Sequence, residues 1–131
     1  MRSLARECVF KFIFSRLFNP NDEGLFTVLT EELSDKDKGF AKELLYAIDD
    51  KYADYEVKIT ELSKNYRADR ILSADKCAMI LGMAELDAFR ETDTPIIIDE
   101  AVKLAAKFST EKSTDFVNGI LASYAEETRN G

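Results

Sequence analysis

Apolar residues recur along this chain at three- and four-residue intervals almost from end to end, the spacing that lines one face of an α-helix. Residues 2–18 put Ala5, Cys8, Val9, Phe12 and Ile13 on one stripe and Phe10, Phe14, Leu17 and Phe18 on a second, which predicts a helix covered on most sides. After the turn Asn19-Pro20-Asn21-Asp22, a short helix capped by Asp22 is expected through Leu33, carrying Leu25, Phe26, Val28 and Leu29. Beyond Gly39 comes the longest pattern: Leu44, Ile48, Tyr52, Tyr55, Ile59, Leu62 and Tyr66 form a seam. It fits either a coiled coil with a partner or packing on the chain's own helices. Arg67–Leu72 reads as a break, and Ser73 as the cap of a helix over 73–89. Cys77, Ala78, Leu81, Ala84 and Ala88 line one side of that helix and Met79, Ile80, Met83 and Leu86 the other, which makes it central.

The stretch Pro95–Leu121 predicts a helical hairpin. Ile98, Ala101, Val102, Ala105 and Phe108 make the apolar stripe of its first helix, with Lys103 and Lys107 on the other side. Pro95 suits a first turn, and Asp99 and Glu100 are expected near the positive end of the helix dipole. The polar run Ser109–Ser113 offers hydroxyl caps for a second helix built on Phe116, Val117, Ile120, Leu121 and Tyr124. Asn118-Gly119 falls inside that repeat. Either Gly119 is a close-packing point within the helix, at about 1 kcal/mol relative to alanine, or the helix breaks there.

All of these elements are helical, so the fold class is all-α. At 131 residues, with 46% hydrophobic and 33% charged, the chain is expected to form a single domain over residues 1–131. No apolar run approaches the roughly 18 residues of a membrane span, and the opening residues lack a secretory leader's pattern. A cytoplasmic protein with no membrane role is expected. Cys8 and Cys77 fall in apolar repeats and read as reduced core thiols.

Net charge is −7, which argues against a generic polyanion binder. The distribution is uneven. Residues 1–20 carry Arg2, Arg6, Lys11 and Arg16 against Glu7, whereas residues 21–56 hold eleven acids and four lysines. Any nucleic-acid surface must therefore avoid the acidic middle. An outward aromatic beside Arg2, Arg6 and Arg16 would suit single-stranded RNA, with a base on the ring and phosphates on the guanidinium groups.

Catalytic chemistry finds little to use. The chain has no histidine, the commonest general base and transition-metal ligand. Two cysteines in separate helices do not make a structural zinc site by themselves, and no phosphate loop or nucleophile elbow is present. The pairs Asp49-Asp50 and Asp99-Glu100 point about 100° apart on a helix and read as solvated faces. Neither an enzyme, a cofactor nor a metal is expected.

Three ordered blocks resemble the NusB family of transcription antitermination factors. LARECVFKFIFS is similar to its A-R-E-x-A-x-Q-x-L-Y opening, SADKCAMILGMAELDAF to its D-x-A-x-L-R-L-A-x-Y-E-L helix, and IIIDEAVKLAAKF followed by FVNGIL to its C-terminal signature. Ile80 stands where the family usually has arginine, Ala84 where it has tyrosine, and Arg2 is the sole arginine ahead of Ala5. The resemblance implies about six or seven helices in two packed helical subdomains. It also implies a function by assembly: with the ribosomal protein NusE, the chain would bind boxA RNA, a single-stranded element, and tether it to the elongating RNA polymerase antitermination complex on ribosomal RNA operons. Carried onto this sequence, Arg2 and Arg6 would hold phosphates and Phe14 would be a stacking ring. Lys112 and Phe116 would lie beside them, with Phe116 equally well a core anchor. Asp75 would sit at the rim of the NusE surface. The alternative is a helical interaction module, a homodimer, that has lost RNA binding.

Overall fold

Seven α-helices make up the regular structure of the chain in a computed structural model that describes residues 2–66 and 71–129. They are α1 (Arg2–Arg16), α2 (Leu25–Thr30), α3 (Asp35–Asp50), α4 (Tyr52–Ser63), α5 (Ser73–Ala88), α6 (Thr94–Phe108) and α7 (Ser113–Arg129), with a 3-10 turn at Lys64–Tyr66 after α4. No strand occurs among the described residues.

The doubly apolar helix is the hub. From Ala74 to Leu86 every residue of α5 except Lys76 is buried, and α5 packs on α1, α3, α4, α6 and α7. Helices α1–α3 form one bundle and α4–α7 the other, with α5 facing both. Close approach depends on Gly82: a Cβ there would lie 2.8 Å from Leu121 Cδ1 and 3.3 Å from Ala101 Cβ. Ile80 and Ala84 are fully buried, in an environment with no use for the charge or hydroxyl of the family pattern. Asp87 accepts from both the Tyr55 and Tyr124 hydroxyls, at 2.7 and 2.8 Å, and so ties α4 and α7 to α5.

Several boundaries differ from expectation. The long seam is interrupted at Lys51, whose φ of −130° and ψ of 24° leave the helical region. Asp49 and Asp50 crowd negative charge onto the negative end of α3, while Asp54 falls in the favourable first turn of α4. Leu44, Ile48, Tyr55 and Ile59 are buried within the chain itself, so the seam serves internal packing. Helix α2 is only six residues long and follows Gly24, without the Asp22 cap. A helix so short is marginal alone, and Phe26 holds it by meeting Phe12 edge-on at 5.2 Å. Leu72, rather than Ser73, occupies the N-cap of α5. Of the expected break at Arg67–Leu72, residues 67–70 lie outside the described residues.

The hairpin forms as predicted, with Pro95 in the first turn of α6. Asp99 and Glu100 lie in the second turn, however, and answer cations instead of the dipole. Thr110 supplies the hydroxyl cap, accepting from the Ser113 N–H at 3.2 Å. Helix α7 runs unbroken through Asn118-Gly119. Both cysteines are free, Cys77 buried and Cys8 half-buried with its thiol directed at the Leu29 carbonyl.

Candidate nucleic-acid interface

The three arginines expected to face RNA divide, and Arg16 is already engaged by the Asp49 carboxylate, at 2.7 and 3.2 Å. Arg6 is only 4% exposed. Its Nε and Nη2 donate to the two carboxylate oxygens of Glu85 at 2.7 and 2.6 Å, and Nη1 donates to Glu100 at 2.9 Å. Glu85 is wholly buried. A charge in that position requires a bidentate partner, so Arg6 locks α1 onto α5 and α6 and is not placed to meet a phosphate. Arg2 lies half-buried, with its guanidinium 4.5 Å above the Phe40 ring and one long bond to Thr92. Among the described residues most of its donors find no partner, and it lines a cleft of roughly 400 Å³ with Thr92, Ile96, Asp99 and Lys103.

Phe14 belongs to a ladder of rings. It lies parallel to Phe10 at 6.0 Å, Phe10 stacks on Phe108 at 5.0 Å, and Phe18 meets Phe14 edge-on at 5.4 Å. The ladder climbs from the buried Phe10 to Phe18, which is 72% exposed. Around Phe108 stand two lysines that the sequence left on a polar face: the ammonium groups of Lys11 and Lys107 lie 5.9 and 5.4 Å from its ring centre. Both also reach Glu7, at 3.2 and 2.7 Å. Those contacts, Lys107 first, hold the Glu7 carboxyl below its ordinary range against the opposing effect of burial. Phe108 ends α6, and the connection carrying the exposed Lys112 begins beyond it. Lysines and rings thus alternate here. Arg2, by contrast, lies about 18 Å along α1 from Phe14, at 1.5 Å per residue.

The start of α7 gathers the remaining candidates. Asp75 is 4% exposed, which corrects its expected place on a rim. One carboxylate oxygen accepts from the Ser113 hydroxyl at 2.7 Å, and the other is buried with no partner among the described residues. The carboxylate lies where the first turns of α5 and α7 meet, a position both dipoles favour. Lys112 precedes Ser113, and Phe116 follows one turn later, half-buried and edge-on to Tyr66 at 5.7 Å.

The A-R-E opening therefore lies in α1, D-E-A-V-K-L-A-A-K-F in α6 and F-V-N-G in α7, and the family model for NusB matches residues 3–126. The chain belongs to the NusB family. The transcription antitermination protein NusB of Methylacidiphilum infernorum is 33% identical over 132 residues, which are 97% of this chain and 92% of that protein. NusB of T. maritima superposes with a TM-score of 0.87 at 26% identity, covering 97% of this chain and 92% of its own. A chain from the crystal structure of antitermination factors NusB and NusE in complex with dsRNA shares the fold, with a TM-score of 0.83 at 24% identity and 96% coverage of each. In this NusB-family chain, Lys11, Lys107 and Tyr66 stand against the rings of the candidate site without having been singled out from the sequence. Helical spacing places Lys11 and Lys107 on separate polar faces, and only the packing of α1 against α6 brings them to one ring.

Proposed function

We propose that this NusB-family chain serves transcription antitermination by assembly in the cytoplasm. With NusE it holds a boxA-type single strand of nascent RNA and tethers it to the elongating polymerase complex, with no bond made or broken. The observation that carries this reading is Phe108 flanked by Lys11 and Lys107, continued by the Phe14–Phe18 ladder and by Lys112. Unstacked bases lie on rings while ammonium groups meet phosphates, the alternation that single-stranded RNA requires. Arg2 adds an open guanidinium farther along α1. Arg6 positions α1 from within, and Asp75 braces the start of α7, so that NusE would meet the second bundle through more exposed neighbours.

Fluorescence anisotropy with a boxA-like strand and a scrambled control, with and without NusE over a salt series, tests the reading. A salt-dependent boxA preference that NusE strengthens is expected. Equal binding of both strands overturns the RNA role.

A second reading, a self-associating helical module without RNA binding, is favoured by the withdrawal of Arg6 into the interior and by the exposed Leu17 and Phe18 at the end of α1. Sedimentation across a concentration series separates it from the first: a monomer at all concentrations eliminates it.

A further inference from the structure

Gly119 is costly where it stands. Inside an unbroken helix it forfeits the propensity an alanine would bring, and nothing about the α7 backbone requires it. What occupies the space is Tyr66. A Cβ at position 119 would overlap the Tyr66 hydroxyl and lie 2.8 Å from Cζ and 2.9 Å from Cε1. The hydroxyl end of the ring is thus seated against bare helix backbone. Tyr66 nevertheless stays 43% exposed. A ring held for packing alone is ordinarily buried; this one is held at its tip while much of its surface faces outward. It also stands perpendicular to Phe116, at an interplanar angle of 82°, so the two rings form a corner, and Phe116 follows Lys112 by four residues.

We propose that Tyr66 is a further RNA-contacting residue, held by the glycine notch of α7 so that an unpaired base stacks on its face with an edge toward Phe116. This rests on the RNA-binding reading above and extends it from the α1 ladder to the turn after α4. The ligand is a single-stranded nucleobase, because every base has a face to stack and none needs a sequence-specific hydrogen bond there.

The notch makes a sharp test. A methyl at position 119 meets only the outer end of an exposed side chain, so Gly119→Ala is expected to keep or raise the melting temperature while it displaces the ring. Gly119→Ala and Tyr66→Leu should each weaken boxA binding about tenfold in anisotropy titrations with unchanged circular dichroism, and Tyr66→Phe should recover most of the loss relative to Tyr66→Leu. The chain has no tryptophan, so RNA-induced quenching of tyrosine emission is a second readout, and it should shrink in Tyr66→Phe. If the unaltered protein binds boxA and Tyr66→Leu binds it equally well, the assignment of Tyr66 is overturned while the adaptor reading stands. If the unaltered protein shows no RNA binding, both fall. Should Gly119→Ala fail to fold, the Tyr66 pair decides alone.

Discussion

Arg6 illustrates how a surface motif becomes an internal bolt. Removing its guanidinium leaves Glu85 charged and wholly buried, a loss of about 3–5 kcal/mol by the behaviour of other buried pairs. Urea denaturation of Arg6→Ala should register that loss, and Arg6→Lys should recover little of it, because an ammonium cannot span Glu85 and Glu100 in one fork. A stability within 1 kcal/mol of the unaltered protein would contradict the assignment. Alkaline pH probes other buried groups. Burial pushes the Cys77 thiol up to about 11. The Tyr55 and Tyr124 phenols are also raised, first by burial and then by the Asp87 carboxylate that they bond. The unfolded chain releases these protons at its ordinary values of about 8.5 for thiols and 10 for phenols. Each group therefore contributes fully below its unfolded value, and the contribution is lost as pH rises toward the folded one. The melting temperature should hold steady to about pH 8.5 and fall between pH 9 and 11; a flat profile across that window would exclude the linkage.

At the scale of elements, two glycines in α5 and α7 look alike in sequence and behave oppositely. Gly82 faces the branched end of Leu121 and the Ala101 methyl between packed helices, where nothing swings into solvent. Gly82→Ala should therefore destabilise by about 1–3 kcal/mol, the usual cost of overpacking, in the same urea assay that leaves Gly119→Ala unharmed. Spacing alone made α1, α5, α6 and α7 legible, because each carries an apolar repeat long enough to set its own phase. The break at Lys51 was not legible. Leu44 through Ile59 keep the three-four rhythm across it, and only the Lys51 backbone, with α3 packing on α1 and α4 on α7 beside their shared neighbour α5, reveals where the helix ends. Helix α2 came out shorter for a related reason: six residues held by a neighbour's ring carry little phase of their own. The site was legible as motifs and not as surfaces. Phe116 and Gly119 were named from the C-terminal signature, yet Tyr66 joins them from the far side of residues 67–70, and Arg6 could be placed only once its two carboxylates, from different helices, were seen.

For the molecule as a whole, the proposed RNA role asks how a chain of net charge −7 would hold a polyanion. Local arrangement answers it. The acids of residues 21–56 flank α2 and lie on α3 and α4, whereas Lys11, Lys107 and Lys112 come from α1 and the α6–α7 hairpin. Glu7 and Lys107, 100 positions apart, meet at 2.7 Å on this second face, and Glu7 tempers both of its lysines. The cationic patch is consequently small, and its salt dependence should be shallow. Each phosphate contact on a single strand contributes about 0.7 to the slope of log K against log salt. Replacing Lys11 and Lys107 together by alanine should lower that slope by about 1.4 and weaken boxA binding most at low salt. The unpaired Glu7 carboxylate left behind would add repulsion in the same direction. Arg6→Met, by contrast, should leave the slope untouched wherever the protein remains folded, since its charge never faces the strand. If the slope follows Arg6 and ignores the two lysines, the RNA runs along the Arg2 cleft instead, and the ring ladder of α1 serves another partner.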